Sequence, residues 1–459
     1  NNTKILILTA TPGDNQTDIL MLLNMIRKKK TPELNLPNLE NLESLNKFSE
    51  DIRGLISYFD ASLDYTKFPK LYELPLHTTY MSDIKTIQKN KQFTKYLEKL
   101  KEVPDEHKNY NELMNKNELN KFNRTLRKYS NMLFNHVNDM SINEFSSKLP
   151  YLFSNIENNP NQKHYIYSAF FESRGFGQSI VGISKLLNKH LNYKEFTLNQ
   201  ANKIKNLKDI GKENRYIIIG TTNLHDKTDT DIKQELKKVK KLLDLYNDPL
   251  NKDGEYIQLL LASKKFNESI DLKAVRHIHI FEPLVSWISR KQTLGRAVRH
   301  CSHKDLNKSN WNVKLHEYIS EKPHNITLLD TGFLQKEINY IKENIDKQNK
   351  DIIEYNLKIK EKSNKNNFNI KDFYKYRIPK KKEILKKLNI KLIHLTKLLE
   401  YNNLEMIDTT VYDTAKAKFK ELSLLDKIMK EASIDCTIFN KFHNKILNDN
   451  EKIICKKFN

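Results

Sequence analysis

Cysteine is scarce in this chain of 459 residues: Cys301, Cys436 and Cys455 lie far apart, with no C-x-x-C pair. Neither a disulfide framework nor a structural zinc site is expected, and a reducing compartment follows. No apolar run approaches the roughly 18 residues of a membrane span. The N-terminus also lacks the basic, apolar and small-residue order of a secretory signal. The expectation is a soluble intracellular protein with no membrane partner. No repeat period is evident. There is no G-x-x-x-x-G-K-[ST] phosphate loop; Gly211-Lys212-Glu213 lacks both the loop and the hydroxyl. Nor does a D-E-x-H box follow a strand. Asp105-Glu106-His107 comes after Pro104 with no apolar strand leading in, and reads as a solvated loop. The chain should therefore have little of its own to hold a nucleotide's phosphates and magnesium, and alone is expected to be inactive as a triphosphatase.

Positive charge is abundant. A formal net charge of +22 and a pI near 9.4 point to an acidic polymer as partner, nucleic acid above all. Part of that excess follows from a general richness in Lys, Asn and Ile, as an AT-rich genome produces. The length accommodates two to four domains. The chain starts Asn1-Asn2-Thr3, without Met, and runs straight into an apolar strand at 4–8. It reads as part of something longer.

From 17 to 150 the pattern is mostly helical and lysine-rich, interrupted by the apolar segment Ile52–Phe59. Between 163 and 330, short apolar strands alternate with helices. Strands are expected at 163–168, 216–219, 256–261, 277–281 and 313–319, and helices at 175–187, 229–245 and 286–300. That alternation argues for α/β architecture with a doubly wound parallel sheet, whose ligand site gathers at the carboxyl ends of the strands. Beyond 330 the chain is helical and charged. Residues 334–366 read as one long exposed helix or a hairpin of two. Arg377-Ile378-Pro379-Lys380-Lys381-Lys382 is expected to open another helix, its basic run either meeting phosphates or simply solvated.

The densest chemistry lies in Arg290–His303, which reads Q-x-x-G-R-x-x-R followed by S-H. On a helix, Arg296 and Arg299 leave one face, because residues three apart are neighbours there. Two permanently charged planar donors so placed can reach the γ-phosphate of an ATP held by a neighbouring domain, as arginine fingers do. Gly295 lets another backbone approach, and Gln292 adds a polar contact one turn back. The bland alternative is an ordinary basic surface helix.

This pattern resembles the sixth motif of superfamily 2 helicases, and other motifs fall into place in order. Thr9-Ala10-Thr11-Pro12 fits the third. Tyr167-Ser168 at a strand end, with Gly175 downstream, fits the fourth. Ser263 to Leu272, with Asn267-Glu268 and Ile270-Asp271-Leu272, fits the fifth. The chain resembles, more narrowly, the Swi2/Snf2-related nucleoside triphosphatases of large cytoplasmic DNA viruses. That family includes poxvirus nucleoside triphosphatase I, the small subunit of the poxvirus early transcription factor, and relatives in asfarviruses, mimiviruses and yeast cytoplasmic linear plasmids. Four stretches carry the resemblance. They are Asp51–Phe59 with Phe68-Pro69, Tyr80-Met81-Ser82, the run from His277-Ile278-His279-Ile280 through Glu282-Pro283 and Trp287 to His303, and Met429–Cys436 with Thr410-Val411-Tyr412 upstream. Residues 85–150 and 334–400 match poorly.

The resemblance implies the C-terminal portion of a DNA-dependent ATPase or helicase-like translocase acting in viral early transcription. In it, 1–20 would end a first RecA-like lobe, 21–150 would be a mostly helical insertion, 151–330 a second RecA-like lobe, and 331–459 a lysine-rich helical extension. Arg296 and Arg299 would be arginine fingers and Gln292 would touch the nucleotide. Thr9, Thr11, Gly295, Glu268 and Asp271 would bind ATP or couple the lobes. Ser168, Ser263 and Lys264 would meet the phosphate backbone of DNA or RNA. ATP and Mg²⁺ are the implied cofactors, with the magnesium ligands upstream of residue 1. Viral RNA polymerase is an implied partner, and the cytoplasmic viral factory or virion the implied location. Ser269 stands where the family commonly has Gly before the Ile of the fifth motif, which changes what the loop backbone can adopt. Two alternatives stay open at this point: a docking module without catalysis, and one half of a split ATPase.

Overall fold

The computed structural model describes residues 6–7, 13, 15–27, 31–57, 65–81, 91–101, 126–133, 142–170, 179–220, 239–263, 270–327, 329–363, 368–438 and 452–455. Its contacts divide the chain into two units. The first comprises Asn1–Thr79, Lys95–Ser320 and Ile407–Asn459, and the second Tyr80–Thr94 with Glu321–Met406. Thr9, Thr11, Gly175, Lys264, Asn267, Glu268, Ser269 and the Asp105-Glu106-His107 triplet lie outside the described residues, as does most of the strand expected at 4–8.

The first unit is built on a parallel sheet. Its strands are β1 (Lys70–Glu73), β2 (His77–Tyr80), β3 (Lys163–Ser168), β4 (Lys194–Glu195), β5 (Arg215–Ile219), β6 (Leu259–Ser263), β7 (Val275–Ile280) and β8 (Asn312–Glu321). Seven of them run in the order β1-β8-β7-β3-β6-β5-β4, every neighbouring pair parallel, and β2 also pairs with β8. β3 and β6 are buried at every position, as strands covered on both faces must be. Alternate residues feed two cores. Tyr165, Tyr167, Leu260, Ile278 and Ile280 join one, and Ile166, Leu259, Leu261 and Phe281 the other. The α/β, doubly wound parallel architecture expected from the sequence is what the chain adopts. β1 and β2 were not expected; Lys70-Leu71-Tyr72-Glu73 and His77-Thr78-Thr79-Tyr80 are too polar to read as strands.

Chain order and sheet order part company at β3. The chain fills β4, β5 and β6 on one side, then steps across β3 to lay down β7 and β8 on the other. The connection that makes this step, 264–274, is the stretch carrying the fifth motif.

Around the sheet, α1 (Gln16–Ile26), α2 (Leu42–Asp51), α3 (Leu149–Glu157), α4 (Ile180–Leu191), α5 (Trp287–Leu294) and α8 (Ile407–Ala432) complete the unit. Side-chain caps start the first two helices: Asn15 accepts from the Asp18 amide, and Asn41 from the Glu43 and Ser44 amides. Ile19, Leu23, Phe48 and Ile52 pack on Leu425, Met429 and Ala432 of α8, so segments nearly 400 residues apart in sequence share one core. Beyond α8 the chain doubles back and Cys436 is disulfide-bonded to Cys455, with Cα atoms 5.6 Å apart. This corrects the expectation of no disulfide. A return over 19 residues brings together two cysteines that no short spacing rule connects.

The second unit is dominated by α6 (Thr331–Ser363) and α7 (Phe368–Asn403). Residues Leu334, Ile338, Ile341, Ile345, Gln348, Ile352, Tyr355 and Ile359 in α6 follow alternating steps of three and four. So do Ile378, Lys381, Leu385, Leu388, Leu392, Leu395 and Leu399 in α7, and all are at least partly buried. That is a coiled-coil seam. Lys381 reaches Gln348 (2.9 Å) and Asp351 (2.5 Å), and Lys391 reaches Glu337 (3.3 Å), so the helices are antiparallel. Of the two sequence readings the hairpin is correct, but α7 opens at Phe368, not at Pro379, which sits inside the helix. Pro379 is on the exposed side, where the lost amide bond is tolerated because the seam holds the helix on either side. Among the described residues no helix is long and apolar enough to cross a membrane.

Candidate functional site

β7 delivers the chain to Glu282 and Pro283, and Ser286 then caps α5 by accepting from the Ser289 amide at 3.2 Å. α5 lies on the sheet through Leu294. Trp287 packs on Tyr412 and Phe419 of α8. Arg290 is 4% exposed. Its guanidinium makes a two-pronged bond to Glu317 (2.8 and 2.7 Å), reaches Glu73 at 2.9 Å and stacks on Trp287 at 4.2 Å. Burial opposes its charge, yet the bonds to Glu317 and Glu73 hold it above the ordinary arginine range. Arg290 thus clamps α5 to β8 and β1.

The helix expected over 286–300 ends early. Leu294 is its last residue, and the Gly295 amide closes on the Lys291 carbonyl at 2.8 Å. A Cβ at Gly295 would meet that same carbonyl at 3.2 Å, so the crowding comes from its own turn and not from another segment. Arg296 and Arg299 consequently do not share a helix face. They sit in a turn, and each is placed by a separate device. The Arg296 carbonyl accepts from the Leu272 amide (3.0 Å), which ties the turn to the fifth-motif segment. Arg299 donates from Nε to the Gly295 carbonyl (2.7 Å) and pairs with Asp271 at 3.3 Å, with both side chains near half exposure (41% and 56%). Gln292 is half-buried one turn before. After the arginines, the Ser302 carbonyl accepts from the Ala274 amide (2.8 Å) and Ser302 Oγ lies 3.0 Å from His303 Nδ1. His303 is buried, and burial pushes it down to about 4. The S-H pair is therefore a core anchor.

Because α5 runs back along β7, its carboxyl end meets the residues entering that strand. Asp271, Arg296 and Arg299 gather at the amino end of β7, not at the carboxyl ends where the sheet rule places ligands. Beside Asp271 opens a cleft of about 560 Å³ that includes Lys240, Asp244 and Lys273.

The expected backbone-contacting serines lie elsewhere. Ser168 and Ser263 are register partners at the carboxyl ends of β3 and β6, and both are buried. Ser168 Oγ lies 3.0 and 2.9 Å from the Glu282 carboxylate oxygens, so its hydroxyl faces inward and not toward a ligand. Glu282 also accepts from Asn131 Nδ2 (2.8 Å) and from the Ala169 amide. Burial raises its carboxyl, while Arg127 and Lys148 oppose the shift. Lys148 is fully buried and pairs with Asp408 of α8 at 2.5 Å. Burial lowers its ammonium, and Asp408 counteracts.

A second cluster escaped the sequence reading. His77, His164, His277, His279 and His316 stack across β2, β3, β7 and β8, neighbouring rings lying within 9–20° of parallel. The signal was the alternation His277-x-His279, which puts both rings on one sheet face. His164, His277 and His279 bring nitrogens within 4.8 Å of one another, close enough to consider a metal. The hydrogen bonds account for them otherwise. One row runs from the Asn159 carbonyl to His164 (3.2 Å), from His164 to His279 (3.0 Å), and from His279 to the Tyr318 hydroxyl (2.9 Å). The other runs from Gln162 Oε1 to His277 (2.9 Å), from His277 to His316 (3.0 Å), and from His316 to His77 (3.3 Å). With every ring neutral and protonated at Nε2, each bond has one donor and one acceptor. No nitrogen of the buried trio is left over for an ion, and parallel rings do not converge on one. Burial pushes His164 down to about 4 and His316 to about 3, and it lowers His77, His277 and His279 as well.

With this geometry in hand, comparisons with known proteins are informative. No family model matches the chain. A protein of Acanthamoeba polyphaga mimivirus named as an ATP-dependent RNA helicase is 26% identical over 353 residues, covering 70% of this chain and 55% of its own length. A helicase of the Kluyveromyces lactis killer plasmid pGKL-2 is 25% identical over 316 residues, covering 69% and 41%. The vaccinia virus early transcription factor 70 kDa subunit is 30% identical over 161 residues, covering 35% and 22%. The chain is a superfamily 2 helicase-like protein related to these. It spans about half the length of the helicases it matches. Among solved structures, the C-terminal part of the Fun30 ATPase domain aligns with 67% of this helicase-like chain and 69% of its own at 16% identity. Its TM-score of 0.25 is too low to bear weight.

Proposed function

We propose that this chain supplies the arginine-finger lobe of a nucleic-acid-dependent ATPase acting in viral early transcription. The observation that supports this most is the presentation of Arg299. Its guanidinium is held at the base by Gly295 and at the tip by Asp271, yet stays partly exposed at the amino end of β7. A planar, permanently charged donor so placed fits a phosphate brought by a facing lobe. ATP would supply the transferable phosphoryl group, with the negative charge that develops on it. Arg299 would then exchange Asp271 for the γ-phosphate, and Asp271 would return it to its resting position afterwards. Arg296, tied through its carbonyl to Leu272, would report nucleotide binding to the 264–274 connection. Magnesium would need carboxylates other than Asp271, whose oxygen is engaged by Arg299. The early transcription factor likeness makes DNA the favoured track and viral RNA polymerase the favoured partner.

The test is Arg299→Ala in the full-length protein, read as nucleic-acid-stimulated ATP hydrolysis. An arginine finger is worth on the order of 10³-fold or more in kcat. A fall of that size with ATP affinity little changed is expected. Hydrolysis within a few-fold of the parent would overturn the assignment.

A further inference from the structure

The two helices of the coiled coil are charged very differently. From 334 to 360, α6 carries six lysines against five acidic residues. From 375 to 397, α7 carries nine Lys or Arg against one acid, Glu383. Both helices come from the same lysine-rich chain and both expose their outer faces, so compositional bias alone would charge them alike. Within α7 the cations also sort by position. Lys381, Lys387 and Lys391 are paired with Asp351, Glu383 and Glu337. Lys375, Lys382, Lys386 and Lys397 are exposed, and no ion pair involving them is present among the described residues. At 100° per residue these four fall within about 60° of arc, a stripe along the helix well away from the seam. Their span of 22 residues is about 33 Å, close to one turn of B-form duplex.

We propose that this stripe on α7 is a sequence-independent contact for the phosphate backbone of duplex nucleic acid, outside the helicase-like sheet. Four lysine ammoniums on long stems, aligned over one helical turn, suit a row of phosphates and carry no base-reading group. The choice of nucleic acid over another polyanion rests on the functional reading above. The charge asymmetry does not.

The experiment compares the chain with its Lys375→Gln/Lys382→Gln/Lys386→Gln/Lys397→Gln variant. Gln matches Lys in helix propensity, and circular dichroism checks that helix content is kept. Anisotropy of a labelled duplex several turns long is measured across a salt series, with polyglutamate as a second ligand. Each phosphate contact contributes a salt slope of about 0.9, so the variant's log K against log salt should be shallower by about 3. Affinity at low salt should fall at least tenfold. An unchanged slope overturns the proposal while leaving the ATPase reading intact. Unchanged duplex binding with lost polyglutamate binding overturns it in favour of an acidic protein surface. If the parent chain binds no duplex, the proposal fails outright, and the Arg299 experiment decides the ATPase reading separately.

Discussion

Lowering the pH from neutral towards 5 should unfold the sheet unit through its buried histidines. In the native chain His164 titrates near 4 and His316 near 3, because burial disfavours their charged forms. In the unfolded chain both return to about 6.5. Between those limits the unfolded state binds protons that the native state refuses, so stability must fall as pH falls. It is complete above about pH 6.5 and drains away until each folded value is reached. One histidine of this kind loses about 1.4 kcal/mol per pH unit, or about 2 kcal/mol by pH 5. His164 and His316 together lose about 4 kcal/mol at that point, and His277 and His279, shifted in the same direction, add to it. Domain stabilities are only about 5–15 kcal/mol. Urea unfolding followed by circular dichroism at a series of pH values measures the slope directly. His164→Gln should be less stable near neutral pH, since the hydrogen-bond row is cut, but its dependence on pH should be flatter by about one proton. An identical slope for the two proteins would refute the neutral-ladder account.

Two further outcomes follow from buried or crosslinked groups. Lys148→Met leaves Asp408 without its partner in a fully buried site, and a loss of about 3–5 kcal/mol in unfolding free energy is expected. Adding Asp408→Leu should recover most of it, and failure to recover would show that the pair is not the cause. Reducing Cys436–Cys455, or making Cys455→Ser, should lower stability by about 2–4 kcal/mol through the freed loop. Equal urea midpoints with and without reductant would show that the crosslink contributes nothing.

Much of the sheet could be read from residues alone. Tyr-Ile-Ile-Ile at 216–219 and Leu-Leu-Leu at 259–261 are apolar without alternation, which only strands covered on both faces tolerate. The motif residues Asp271, Arg296 and Arg299 were also identifiable, and the fold brings Asp271 and Arg299 into contact. Other features depend on partners that one sequence does not pair. Ser168 resembles a ligand-facing serine until Glu282, more than a hundred residues on, turns out to hold it. The end of α5 at Leu294 is set by packing of Ala297 into the core, not by a proline or an unusual backbone angle. The histidine ladder was invisible to a pattern that counts only apolar residues as core. The heptads of α6 and α7 were diluted by lysine and asparagine, and Gln348 and Lys381 interrupt them on the seam itself.

The point where the chain leaves the sheet has a topological consequence. The Ser320 amide, at the end of β8, donates to Asp408, in the first turn of α8, at 2.9 Å. Everything between, 86 residues and the whole coiled coil, departs and returns through a gap one hydrogen bond wide. In the grammar of domain insertion this excursion is a parenthesis: the sentence on either side closes without it. Its length is thermodynamically cheap to vary, about 0.6 kcal/mol for each doubling of a closed loop. Relatives are therefore free to lengthen, shorten or replace it while β8 and α8 stay in register, and an engineered short linker from Ser320 to Ile407 should leave the parallel sheet standing.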